Sequence, residues 1–157
     1  IRYCNRPFRT KEEMNEALLR NWNTAVSKSD LVFFLGDLTF GPNHRPADYW
    51  LGKLNGRKFF MRGSHDVDVF TEATEIPNNY TIQYAEHSFL LAHRPNRPAY
   101  WNDWIIHGDK HNHDLVNYPL INHMKKTINV SAEVANYKPV LMDDIAAEIR
   151  NSVYKRM

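Results

Sequence analysis

Four short stretches of this chain place acidic and imidazole side chains directly after apolar runs: Gly36-Asp37, Gly63-Ser64-His65-Asp66, Ala92-His93 and His107-Gly108-Asp109-Lys110-His111. Carboxylate oxygen and neutral imidazole nitrogen together form the donor set of a divalent cation. In α/β chains the loops at the carboxyl ends of strands converge on ligands, because the strands already fix the backbone there. Glycine ahead of the polar residue permits a tight turn and a close approach to the backbone. Taken singly, the residues have plainer readings. An Asp after a strand also caps helices and forms turns, a single His such as His93 is often a satisfied core residue, and a loop carrying His107, His111 and His113 can simply be solvated. The agreement of four stretches favours a metal centre.

Those side chains need strands to carry them, and the apolar pattern supplies candidates. Thr10-Lys11-Glu12-Glu13 reads as a capping box, followed by Met14, Ala17, Leu18, Trp22 and Ala25 at helical spacing, which predicts a helix from Lys11 to Val26. Leu31 to Leu35 is a continuous apolar run ended by Gly36-Asp37 and suits a strand buried on both faces. Pro46 to Leu54 reads as a second helix with Trp50, Leu51 and Leu54 inward, and Arg57 to Met61 as a second strand. A helical turn is expected over Asp66 to Thr74. Thr81 to Tyr84 and Ser88 to Ala92 predict an antiparallel pair, Trp104 to Ile106 and Thr127 to Val130 further strands. Ile145, Ile149 and Val153 form the apolar stripe of a closing helix from Met142 to Tyr154. Mixed alternation of this kind predicts two packed sheets with helices outside, in preference to one doubly wound sheet.

At 157 residues the chain is expected to form a single domain, 1–157. Its hydrophobic content of 43% and charged content of 24% place it far from disordered compositions. A formal charge of +2 is too small to indicate nucleic acid or acidic membranes as partners. The single cysteine, Cys4, excludes an internal disulfide, and the longest apolar run is far short of a membrane span. A cytoplasmic protein is the expectation, with no membrane partner and no basis for an oligomeric state. Lys125-Lys126 and Lys155-Arg156 read as solvated pairs.

In their order and spacing, Gly36-Asp37, Gly63-Ser64-His65-Asp66, His93 and Gly108-Asp109-Lys110-His111 resemble the motifs of the calcineurin-like metallophosphoesterases. The opening Tyr3-Cys4-Asn5-Arg6-Pro7-Phe8, the late Asn129-Val130-Ser131 and Asn136-Tyr137-Lys138-Pro139-Val140 also look like the small bacterial and phage members. The resemblance implies an α/β (α+β) fold, a four-layer αββα sandwich of two mixed sheets flanked by helices. It implies a phosphodiester or phosphomonoester hydrolase with a small phosphate-ester substrate and two divalent ions, Mn²⁺ foremost, with Mg²⁺, Fe or Zn²⁺ as alternatives. On that likeness Asp37 bridges the two ions, His111 ligates the first and His93 the second. Ser64 and Asp109 complete the metal set. His65 protonates the leaving oxygen, with Asp66 beside it in the catalytic pair.

The departures carry their own expectations. The family's first motif, Asp-x-His, is absent, which the resemblance explains by a strand upstream of Ile1. Ser64 stands where the family has Asn, and a hydroxyl on a one-carbon stem binds more weakly than an amide carbonyl. Asp109 stands where the family has His, which favours a harder ion such as Mn²⁺ or Mg²⁺ over Zn²⁺. Lys110, His113 and Asp114 can compensate or be solvated. Arg94 and Arg97 are candidates for holding phosphate, and Tyr100, Trp101, Asn102 and Trp104 for stacking a base. The competing expectation is a catalytically impaired member that serves as a binding or interaction module.

Overall fold

The computed structural model describes residues 1–41 and 44–154, without the side chains of 153 and 154. Helix α1 spans Lys11–Ala25, and the Thr10 side chain accepts a hydrogen bond from the Glu13 amide as the capping sequence predicts. The Glu13 carboxylate closes the cap on the amide of Arg9, one residue before the N-cap. Two strands follow, β1 (Leu31–Phe34) and β2 (Arg57–Met61), joined through the short helix α2 (Ala47–Leu51). They pair in parallel with Phe33 opposite Phe59 and Phe34 opposite Phe60. Both ring pairs stack with centroids 5.2 Å apart, one on each face of the sheet.

Strand β3 (Thr74–Ile76) completes a three-stranded parallel sheet in the order β1-β2-β3. The helical turn expected over Asp66 to Thr74 is replaced by an irregular segment leading into β3. The reason is local: the Asp48 carboxylate takes the amides of Thr71 and Glu72, and the Arg62 guanidinium takes the Asp68 carbonyl. Those backbone groups are thereby satisfied without a helix.

The second sheet holds β4 (Tyr80–Tyr84), β5 (His87–Ala92), β6 (Trp104–His107), β7 (Ile121–Asn122) and β8 (Thr127–Asn129), ordered β4-β5-β6-β8-β7. Strands β4 and β5 form the expected antiparallel pair, turning at Ala85 with φ +52°, while β5, β6 and β8 run parallel. Helix α3 (Met142–Tyr154) closes the described chain. Ile145 and Ile149 are buried as expected; the Val153 side chain and the pair Lys155-Arg156 lie outside the described residues.

The architecture is therefore mixed α/β with two sheets and few helices. One apolar cluster draws Leu35, Met61 and Ile76 from the first sheet, Phe89, Leu91, Ile106 and Ile128 from the second, and Ile145 and Ile149 from α3. On the other face of the first sheet, Ala47 and Leu51 of α2 pack on Phe60 and Phe34, and Trp22 of α1 lies 6.0 Å from the Phe34 ring. Trp50 and Leu54, expected inward, are only half-buried, and Leu54 lies beyond α2, which ends at Leu51.

Strand β1 corrects the expectation of burial on both faces. Leu31 is 56% exposed and Val32 to Phe34 are half-buried, since β1 is an edge strand of its sheet. Beside it runs a groove of about 590 Å³ whose walls include Leu18 and Trp22 of α1, Phe33 of β1 and Ile106 of β6. Its lining also reaches Asp37 and His111. Among the described residues no helix is long and apolar enough to cross a membrane.

Candidate metal centre

Strands β1, β2, β5 and β6 each hand over to one of the four polar stretches. The parallel pairing of β5 with β6 sets Ala92 opposite His107, so His93 and Gly108 leave the sheet together. The His93 carbonyl then accepts the amides of Gly108 and Asp109 at 3.2 and 3.0 Å. The two sheets are tied at the same place, where His93 Nδ1–H donates to the Leu35 carbonyl at 2.7 Å. That bond fixes the tautomer and leaves Nε2 as the acceptor, facing inward to the group and taking the Ser64 amide at 3.3 Å.

Three ligand atoms surround this nitrogen. Asp37 Oδ2 lies 3.3 Å away, Asp109 Oδ1 3.4 Å and Ser64 Oγ 3.3 Å. Asp37, His93 and Asp109 each offer an atom within 4.8 Å of the others. Burial opposes a positive charge on His93, but the Asp37 carboxylate, the Leu35 carbonyl and Asp109 outweigh it and raise its pKa. Burial likewise works to raise the Asp37 carboxyl, yet the bonds from His93 and from the His65 amide hold it below the usual range. The point between these groups therefore favours positive charge.

Two glycines make the approach possible. A Cβ on Gly36, where φ is +96°, would come within 2.5 Å of Gly63 Cα and 2.8 Å of His93 Nδ1. A Cβ on Gly63 would collide with the backbone and carboxylate of Asp37. Asp66 locks the same junction: its carboxylate accepts the amides of Asp37 at 2.6 Å, Leu38 at 3.0 Å and Gly63 at 2.9 Å. Asp66 is thus committed to backbone amides and acts as a positioning residue. His65 is pinned through its amide to Asp37 Oδ1 at 2.8 Å, while its exposed ring meets Phe40 edge-on with centroids 4.6 Å apart.

His111 sits in a different group. Its Nδ1–H donates to Glu133 Oε2 at 3.1 Å, Glu133 also pairs with Arg6, and Cys4 Sγ lies 3.8 Å from His113 Nε2. Burial works to raise the Glu133 carboxyl, but His111 and Arg6 hold it at about 2. Burial and the Glu133 charge push the Cys4 thiol up to about 11. Cys4, His111 and Glu133 thus form a second group whose polar atoms lie within 4.8 Å of one another, and the Arg6–Glu133 pair ties the opening segment to it. Buried Asn129 holds the same loop, donating to the carbonyls of His111 and Tyr118 at 2.9 Å and accepting from the Ser131 amide and hydroxyl. Sequence reading missed Glu133; the available signal was Asn129-Val130-Ser131 just ahead of it.

The remaining candidates divide clearly. His107 points into the core with neither ring nitrogen hydrogen-bonded among the described residues, and burial lowers its pKa to about 4. Arg97 is spent on the carbonyls of Trp101, Asp103 and Lys125, and Trp104 is buried. Arg94 remains at the centre: its Nη2–H donates to Ser64 Oγ at 2.8 Å and its Nε lies 3.5 Å from Asp109 Oδ1.

No protein-family model matches the chain. The uncharacterized protein MJ1445 of Methanocaldococcus jannaschii is 46% identical over 146 residues, covering 91% of this chain and 79% of that protein. This chain belongs to the MJ1445 family. The protein of unknown function AQ665 from Aquifex aeolicus has a crystal structure that matches with a TM-score of 0.68 at 23% identity, over 91% of this chain and 88% of that one. That likeness shows that the MJ1445 family shares its fold with AQ665.

Proposed function

We propose that this chain is a divalent-cation-dependent phosphoester hydrolase acting on a phosphodiester or phosphomonoester. The observation that carries the reading is the convergence of Asp37, Ser64, His93 and Asp109 from four strand ends around one point. Two carboxylates, one imidazole with its bare nitrogen turned inward and one hydroxyl fit a hard divalent cation such as Mn²⁺ or Mg²⁺. When bound, such a cation supplies a Lewis acid and lowers the pKa of its water towards neutrality.

The chain's own residues would do the rest. Asp37, Ser64, His93 and Asp109 hold the cation, and Leu35 keeps His93 in the tautomer that can. Asp66 keeps the loops in register. His65, exposed beside this group, gives its proton to the leaving oxygen. A second ion would require His111 to turn from Glu133, together with ligands from a further strand beside β1. That strand, the four-layer αββα layering and a cytoplasmic location belong to the same proposal.

Equilibrium dialysis against Mn²⁺ with elemental analysis tests the reading. One tightly held ion per chain is expected, lost in Asp37→Ala, together with Mn²⁺-dependent hydrolysis of bis(4-nitrophenyl) phosphate that falls at least a hundredfold in His65→Ala. A hydrolysis rate unchanged by a chelator would overturn it. A second reading, a binding module without turnover, is favoured by two features: His111 is engaged with Glu133 and Arg94 with Asp109. Metal binding with no His65-dependent turnover would select that module.

A further inference from the structure

Arg94 is a cation seated within a cluster built to hold another cation. Its guanidinium lies 3.5 Å from Asp109 Oδ1, the oxygen that also faces His93 Nε2 at 3.4 Å, and it donates to Ser64 Oγ at 2.8 Å. The side chain is 56% exposed, so it is tethered at its tip rather than packed along its length. A divalent ion between Asp37, His93 and Asp109 would repel the guanidinium and draw charge from the carboxylate that holds it. The arm would then be released with its donors unspent, at the edge of the site, beside any anion bound to the metal. Arginine suits that role because its planar fork matches two phosphoryl oxygens at once.

Asp37 and Asp109 contribute two negative charges, Arg94 and Lys110, whose Nζ lies 4.0 Å from Asp109 Oδ2, two positive and the cation two, so the loaded group carries net positive charge. An anionic phosphate ester lowers that charge. Phe40, 73% exposed and 4.6 Å from the His65 ring, supplies an apolar surface on the side where the leaving group would depart.

We propose that Arg94 is the anion-binding arm of this centre, exchanged from Asp109 to an anionic phosphate ester when a cation binds. The inference rests on the metal-centre reading of Asp37, His93 and Asp109. Calorimetric titration of the full chain with Mn²⁺, and of the Mn²⁺-loaded chain with bis(4-nitrophenyl) phosphate and with 4-nitrophenyl phosphate at pH 8, tests it on wild type, Arg94→Ala and Arg94→Lys. Arg94→Ala should bind the diester about tenfold more weakly, yet bind Mn²⁺ several-fold more tightly, and Arg94→Lys should recover part of the diester affinity. Opposite signs for anion and metal are something a merely structural arginine would not produce. Unchanged diester affinity in Arg94→Ala, unchanged Mn²⁺ affinity, or no binding of either ester overturns the inference. Arg94-dependent diester binding without Mn²⁺-dependent hydrolysis would instead overturn the hydrolase reading and leave this one standing.

Discussion

Asp66 shows how a residue can be found by type and yet perform a different task from the one its type suggests. Its carboxylate gathers amides from residues 28 and 29 positions upstream, and a local reading of Gly63-Ser64-His65-Asp66 contains no trace of them. Asp66→Ala is expected to cost roughly 3 kcal/mol, since several backbone donors lose a charged acceptor together, and the urea midpoint reads the loss directly. Asp37, Ser64, His93 and Asp109 were legible because each follows an apolar run and the group needs only that the runs be strands. His111 was read from the same loop, but its neighbours Glu133 and Arg6 come from remote segments that spacing cannot join. Cys4 gives a second outcome at this scale. With its thiol pushed up to about 11, the alkylation rate by iodoacetamide should keep climbing through pH 10 in the folded chain, whereas the urea-unfolded chain levels off near an ordinary thiol value of about 8.5. The unfolded state loses its proton first, so this group makes folding less favourable as pH rises from about 9 towards 11.

At the level of elements, what was legible is what carries a period or an unbroken apolar run: α1 with its cap, β2, the β4–β5 pair, β6, β8 and α3. Strands β3 and β7 hold three and two residues, too few to show a pattern, and exist because a neighbour pairs with them. The length of α2 was overestimated because Leu54 continues the apolar stripe of Trp50 and Leu51 after the helix has stopped at Gly52. The junction of β1 and β2 also sets different costs for two glycines. Gly63→Ala is expected to lose about 2–3 kcal/mol, because Asp37 cannot retreat while Asp66 holds its amide. Gly41→Ala meets nothing within 4 Å among the described residues and should lose only about 1 kcal/mol through its φ of +82°. Equal losses in parallel urea titrations would contradict the contact argument.

For the molecule as a whole, both sheets and α3 contribute to one apolar cluster, while the groove beside β1 remains open along a strand edge. In a strand paired on one side only, alternate amides turn towards the partner and the others turn away from it. Hydrogen–deuterium exchange should therefore split Leu31–Phe34 into slow and fast amides, while Phe59 and Phe60 of β2, paired on both sides, stay slow. Uniform protection along β1 in the isolated chain would contradict this. The edge thereby works as a built-in gauge of occupancy: any segment that beds into the groove and hydrogen-bonds there must silence the fast set, and its residence time can be read from four consecutive amides without knowing its sequence.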